Sequence, residues 1–476
     1  MPTFTGLPLR LRDLLPGARY VPADADPTVG AVRLRAASVE PGDLYVHTDE
    51  FDFAGIELAA ERGAAAVVTE HPVRGLAAPQ AVVSDARAAL AAVQQNTTRA
   101  SSPLRVMRVG GASGGQRSAT LLAAIYAAAC RPVGLRTESL EDDGEQCVRR
   151  APRSLRGPEA WMRRCRLGGV GAVIDQAIPV VEAVTAEPAQ LACVTTLRCD
   201  GLDAAGRRVW PSPHSHRESV LAALGPITAA TQLVINADDP DACRLAADHR
   251  GPVLTYGESG GADLLVAALE QHSGGQSLLF CFGPESACVQ LPTPGRAARR
   301  DAAAALAAAL ASGTPLMQAA TGLEAAPPTP LTMEPLVCGQ RFSAWLDTAV
   351  RPGDLADALE AAGSVAPRVL AAVRLSASLG VAREQLAVAS RMADRVLVHG
   401  PAIARLPEEA YPENTTPVDD RLAALAVVLG LADDGEAVVI AGCVDAEIQS
   451  DGRQADRATA ADLLRRRLRH DDRAAA

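Results

Sequence analysis

Apolar positions along this chain fall into short continuous runs separated by stretches of helical spacing, and the alternation repeats from end to end. Near the start, the turn Glu40-Pro41-Gly42-Asp43 feeds an apolar strand, Leu44-Tyr45-Val46. Residues 51–62 have helical spacing, with Ile56, Ala59 and Ala60 on one side and Gly63 closing the helix. Buried strands are expected at 64–69 and 81–83, then a helix from 86 to about 94 and a joint at Ser101-Ser102-Pro103. A strand over 105–109, a glycine-rich loop over 110–115 and a helix over 118–130 follow. Further on come a helix at 158–166 and strands at 171–174, 192–195 and 233–236. Residues 264–291 are β-like, with Gly274-Gly275 as a hairpin turn, and 301–311 form an alanine-rich helix. Past the proline-rich stretch 325–330, strands at 342–346, 369–373, 395–398 and 437–441 alternate with helices at 354–362 and 420–429.

Strands alternating with helices predict an α/β fold with parallel sheets covered on both faces. At 476 residues the chain exceeds one core, and the joints divide it into three domains, 1–103, 104–328 and 329–476.

Composition narrows the chemistry. The net charge of −10 argues against nucleic-acid binding, which needs clustered cations. The one dense basic run, Arg465, Arg466, Arg467 and Arg469, is followed by Asp471 and Asp472 and reads as a solvated helix face. All 46 basic residues are arginine, so no site here can use an ε-amine. The ten cysteines show no CxxC spacing, and the histidines complete no zinc pattern, which points to a reducing compartment. No run approaches the ~20 apolar residues of a membrane span, and residues 1–15 hold no signal-like apolar stretch; a cytoplasmic protein is the expectation.

The strongest local feature is Gly110-Gly111-Ala112-Ser113-Gly114-Gly115-Gln116-Arg117 between a strand and a helix. That context suits phosphate, held by backbone N–H groups and a helix N-terminus. A P-loop also needs Lys followed by Ser or Thr, and the chain has Gly115-Gln116 or Gln116-Arg117 there. Taken alone, a glycine-rich turn without a ligand fits equally well. Its neighbours in order give it meaning. Pro41-Gly42-Asp43-Leu44-Tyr45 with Gly63-Ala64, Gly134-Leu135-Arg136-Thr137, and Thr195-Thr196-Leu197 with Asp200-Gly201-Leu202-Asp203-Ala204-Ala205-Gly206 lie around it. Asn236-Ala237-Asp238-Asp239, Leu346-Asp347-Thr348-Ala349-Val350-Arg351-Pro352 and Ile440-Ala441-Gly442-Cys443-Val444-Asp445-Ala446 follow. This series resembles Mur ligases of the MurE type. The resemblance implies an N-terminal UDP-sugar-binding domain, a central P-loop-like ATPase sheet and a Rossmann-like C-terminal domain. It also implies ATP and Mg²⁺ as cofactors and a UDP-sugar-peptide precursor or another Mur ligase as partner.

By the same resemblance Gly111, Ser113, Gly114, Gly115, Gln116 and Arg117 form a degenerate nucleotide loop, Asn236, Asp238 and Asp239 face a nucleotide or an interface, and Asp175 and Asp200 are metal candidates. Asp347 holds the family position of the C-terminal domain. The departures are concentrated in the chemistry. The family's phosphate-loop lysine is Gly115 or Gln116, depending on alignment, and its carbamoylated lysine falls near Glu218. Its histidines are Gly201, Val350 and Asp445, and a further lysine and glutamate are Cys443 and Ala446. Arginine, protonated up to a pKa above about 12, cannot be carbamoylated in this way. These losses fit a non-catalytic homologue that binds or regulates in peptidoglycan precursor synthesis. The alternatives are an ATP-dependent amide-forming ligase with altered residues, and a structural protein acting through protein contacts. For the individual groups, the plainer expectations are helix caps for Asp175, Asp200 and Asp203, a turn and helix cap for Asp238-Asp239, exposed loop positions for His214 and His216, and a small buried filler for Cys443.

Overall fold

A computed structural model describes residues 9–48, 53–100, 104–144, 146–149, 159–179, 188–203, 206–329, 332–443 and 456–475. The expected joint at 101–103, together with Ala204, Ala205, Asp445 and Ala446, lies outside the described residues. The chain divides into two compact units, one of 1–104 with 143–146 and 157–171, the other of 105–142, 147–156 and 172–476.

The first unit is built on strands Arg19–Val21 (β1), Val32–Arg33 (β2), Leu44–Val46 (β3), Ala66–Thr69 (β4) and Gln80–Val82 (β5), in the order β1-β5-β4-β3-β2. All but β1 run parallel to their neighbours. Helices Phe53–Glu61 (α1) and Ala86–Ala100 (α2) cover it; α2 extends well past the expected end at 94. Strand β3 alternates faces, so Leu44 and Val46 join one core and Tyr45 the other. The helix Glu159–Leu167 packs against α2 in this unit.

The second unit holds two sheets. The larger has eleven described strands, beginning with Arg105–Gly110 (β6), Val133–Arg136 (β7), Leu140–Asp142 (β8) and Cys147–Arg149 (β9). Ala172–Ala177 (β10), Leu191–Val194 (β11), Gln232–Asn236 (β12) and Val253–Gly257 (β13) continue it. The meander Leu264–His272 (β14), Gly275–Phe282 (β15) and Glu285–Leu291 (β16) completes it. The order is β9-β8-β7-β10-β6-β11-β12-β13-β14-β15-β16. The seven strands from β7 to β14 are parallel, and the edges are antiparallel.

Helices lie on both faces of this sheet. Gly115–Ala128 (α3), Arg296–Ala311 (α6) and Leu316–Glu324 (α7) share a core with Met107, Val109, Leu191 and Cys193. Pro213–Leu224 (α4) and Pro240–Asp248 (α5) share the opposite core with Ala192, Val194, Leu233 and Ile235. The residues of β11 thus divide between two cores by period two, as a strand buried on both sides must.

The smaller sheet has Glu334–Pro335 (β17), Ser343–Asp347 (β18), Val369–Arg374 (β19), Arg395–His399 (β20), Thr415–Pro417 (β21) and Ala437–Ala441 (β22). Its order is β17-β18-β22-β19-β20-β21, parallel except at β17. Helices Pro352–Gly363 (α8) and Leu379–Met392 (α9) cover one face. Arg421–Leu431 (α10) and Asp456–Ala475 (α11) cover the other. Gly430 sits in α10 with nothing within 4 Å of where a Cβ would stand. Gly430→Ala should therefore raise stability by about 0.5–1 kcal/mol, through the lost backbone entropy of glycine, in urea unfolding. Among the described residues no helix is long and apolar enough to cross a membrane.

Candidate functional site

The glycine loop, Asp200, Asn236, Asp238 and Asp239 follow or lie at the carboxyl ends of parallel strands of the larger sheet, where open α/β sheets place their ligand crevice. Strand β6 runs to Gly110, and α3 begins at Gly115, three residues earlier than the expected start at 118. The reason is Gly114: at φ +79° it alone turns the chain, and its carbonyl accepts the first helical bond from the Ser118 amide at 3.0 Å. The loop is short and tightly packed. The Ala112 amide donates to the Thr196 carbonyl at 2.9 Å, and the Thr195 hydroxyl donates to the Ser113 carbonyl at 2.5 Å. A Cβ on Gly111 would lie 2.3 Å from Thr195 Oγ1 and 2.6 Å from both the amide and carbonyl of Thr196.

The loop's polar side chains are engaged. Gln116 Nε2 donates to the Ser139 hydroxyl at 3.1 Å. Arg117 pairs with Asp301 of α6 at 3.6 Å. Asp301 is buried, and its Oδ1 stands 2.3 Å from where a Cβ on Gly114 would be, so a carboxylate lies against the N-cap of α3. That oxygen accepts no hydrogen bond among the described residues. Burial, against the pull of Arg300 and Arg117, pushes the Asp301 carboxyl up from 3.8 to about 6. The folded protein thus holds this proton more tightly than the unfolded chain. The group's stabilisation is complete below its ordinary pKa and is lost as pH rises through about 6. Asp301→Asn cannot titrate there. The variant's unfolding free energy minus that of the natural protein should therefore climb from about pH 4 to about pH 6 and then level off. The total change should be on the order of 3 kcal/mol, read from urea titrations across that range.

The two metal candidates are also engaged. Asp175 does not end its strand, as expected from the sequence, but lies inside β10, which continues to Ala177. In the sheet register it stands opposite Arg108 on β6 and Arg136 on β7. Its Oδ1 accepts from Arg136 at 3.1 Å, and its Oδ2 lies 3.6 Å from Arg108. It therefore caps no helix. A carboxylate is tolerated at this buried position because a cation flanks it on each side. Burial still raises its pKa, against Arg136 and Arg108.

Asp200 caps no helix either. Its Oδ1 accepts from the Leu202 amide at 2.9 Å, and its Oδ2 from Arg351 Nε at 3.2 Å. Asp203 accepts from the Arg207 amide at 2.8 Å and pairs with that arginine's side chain, within a turn. Asp239 is the N-cap of α5, bonded to the Asp241 amide at 2.9 Å, and also takes the Leu197 amide at 2.6 Å and the Thr196 hydroxyl at 2.8 Å. Asp238 lies in the turn just before that cap, as expected, and accepts from the Glu258 and Ser259 amides at 2.8 and 3.1 Å. Asn236 donates to the Thr195 carbonyl at 3.2 Å.

His214 and His216 lie on α4 and not in a loop. Ser212 builds a capping box with Ser215, and Pro213 takes the first helical position. His214 is exposed beside Glu218, whereas His216 is buried, stacked on Trp210 at 4.0 Å, and accepts the Gly201 amide at 3.2 Å. Burial lowers the His216 pKa.

In the smaller sheet, Asp347 ends β18 and accepts the Met333 and Ala349 amides, each at 2.7 Å. Burial pushes its carboxyl up to about 6. Cys443 is buried, with its thiol pushed up to about 12 by burial, which disfavours the thiolate. Arg351, four residues beyond Asp347, reaches back to the larger sheet. It donates through Nη1 to the Ala112 carbonyl of the glycine loop and pairs with Asp200 and, at 3.6 Å, with Asp354.

An ATP–Mg²⁺ complex at this loop would meet the following groups. The loop offers no ammonium at Gly115, a buried carboxylate lies at the helix end, and arginines take the oxygens of Asp175 and one oxygen of Asp200.

No family model matches the chain. It is 26% identical over 381 residues to the UDP-N-acetylmuramoyl-L-alanyl-D-glutamate--2,6-diaminopimelate ligase of Geobacillus thermodenitrificans, covering 74% of each chain. To the ligase of the same name from Geobacillus kaustophilus it is 25% identical over 468 residues, covering 91% of this chain and 93% of that one. Among solved structures, another ligase of that name matches with a TM-score of 0.57 and 18% identity, over 98% of this chain and 100% of the other. The MurF ligase from Thermotoga maritima in complex with ADP matches with a TM-score of 0.58 and 14% identity, over 92% and 98%.

Proposed function

Because the chain belongs to the Mur ligase family, we propose that it is a non-catalytic homologue serving peptidoglycan precursor synthesis by binding a UDP-sugar-peptide precursor or a true ligase. The observation that carries this reading is the capture of Asp175 between Arg108 and Arg136. A carboxylate whose oxygens face two guanidiniums has no charge left for a divalent ion. The chain's lack of lysine supports the same reading. Phosphoryl transfer relies on positioning and on neutralising charge over the transferred group. Here a buried carboxylate, Asp301, lies against Gly114, the N-cap of the helix that follows the glycine loop, and adds negative charge there.

Calorimetry with ATP and Mg²⁺ tests the reading. The natural protein should show no binding at millimolar nucleotide, and no ATP hydrolysis should follow addition of a muramoyl-peptide acceptor. A Gly115→Lys, Gln116→Thr variant can be built, since a Cβ at Gly115 meets nothing nearer than 3.3 Å. It should not recover hydrolysis, because Asp175 and Asp301 remain engaged. Micromolar binding to the natural protein with acceptor-dependent hydrolysis would overturn the proposal in favour of a ligase with altered residues.

A further inference from the structure

The two sheets of the second unit meet through polar pins supplied by the chain itself. Arg351 is buried and holds three partners: the Ala112 carbonyl of the glycine loop, Asp200 beyond β11, and Asp354 in the first turn of its own helix, α8. A single guanidinium thus ties the phosphate-type loop of one sheet to the strand–helix junction of the other. Its planar fork can serve several acceptors at once, which an ammonium on a flexible stem does less well.

A second observation is independent of Arg351. At two places the backbone of the larger sheet's part comes so close to the smaller sheet's part that only glycine fits. A Cβ on Gly206 would stand 2.9 Å from Val350 Cγ1, and one on Gly295 would stand 2.4 Å from the Ala361 Cβ. The Gly206 carbonyl also accepts from the Ser376 hydroxyl at 3.2 Å. The joint is therefore close-packed at both glycines and pinned by charge at the loop.

We propose that Arg351 is a latch that keeps the two sheets closed on each other through the chain's own groups, so that closure needs no ligand. The latch fixes the Ala112 loop and the β18–α8 junction in one arrangement and presents the closed second unit as a standing surface.

Hydrogen–deuterium exchange and small-angle scattering on the full chain test this. In the natural protein the Ala112 loop and the segment around Arg351 should both exchange slowly. Arg351→Ala should speed exchange in both segments by at least about tenfold, the factor for one charge-assisted hydrogen bond, since it removes two such bonds and an ion pair, and should enlarge the radius of gyration. Circular dichroism shows whether the variant is folded. If it is not, Asp200→Asn removes one partner only, and should give the same paired increase at smaller amplitude. Fast exchange of either segment in the natural protein overturns the latch, as does unchanged exchange in a folded variant. Nucleotide binding decides the preceding proposal and leaves this one standing or falling by itself.

Discussion

Gly111→Ala should destabilise the protein by about 3 kcal/mol or more, although no bound phosphate is at stake. The added methyl meets the hydroxyl of Thr195 at 2.3 Å and backbone atoms of Thr196 at 2.6 Å. Backbone cannot yield as a flexible side chain can. Relief requires moving the loop off the end of β11, which breaks the 2.9 Å bond from the Ala112 amide to the Thr196 carbonyl. Chemical denaturation measures the loss. The result separates two reasons for keeping this glycine. If the residue served only to let a phosphate approach, alanine would leave the stability of the unliganded protein nearly unchanged.

Asp175→Ala is the second large effect, with an expected cost of about 3–5 kcal/mol, the range for removing one side of a buried ion pair. Arg108 is only 1% exposed, and its guanidinium, which also donates to the Leu224 carbonyl at 3.2 Å, would lose the carboxylate beside it. A metal-binding aspartate behaves in the opposite way. Without its ion it adds only burial cost, so its removal leaves the protein as stable or more so. A variant with unchanged or higher stability would therefore remove the main support for the non-catalytic reading.

The sheets were legible in the sequence because strands buried on both faces read as short apolar runs. Ala437-Val438-Val439-Ile440-Ala441 falls where expected, and Leu191-Ala192-Cys193-Val194 one residue earlier than the expected 192–195. Element ends were less legible where side chains settle them. Strand β10 continues through Asp175 because cations stand on both neighbouring strands, and no local pattern reports a partner 67 or 39 residues away. The same holds for Arg351 and Asp301, which the sequence did not single out. A signal existed in the first case: Arg108 and Asp175 are lone charges at matching places in apolar runs. His214 and His216 are helical rather than in a loop because serine followed by proline starts a helix, as Ser212-Pro213 does here. The glycine turn between β6 and α3 is visible locally, but its neighbour Asp301 comes from a helix 187 residues on from Gly114, beyond the reach of any local motif.

The row of Arg136, Asp175 and Arg108 across β7, β10 and β6 also bears on how the sheet assembles. Apolar strands such as Ala172-Val173-Ile174 can pair at more than one offset, because their neighbours are apolar at nearly every position. A slip of one residue would set Asp175 beside Met107 or Val109, both wholly buried, and would strand three charges among aliphatic side chains. Only the native offset puts the three charges side by side. The row acts as a registry mark that penalises every other alignment of the central strands, which gives this charge triad a reason to be retained whether or not any chemistry takes place beside it.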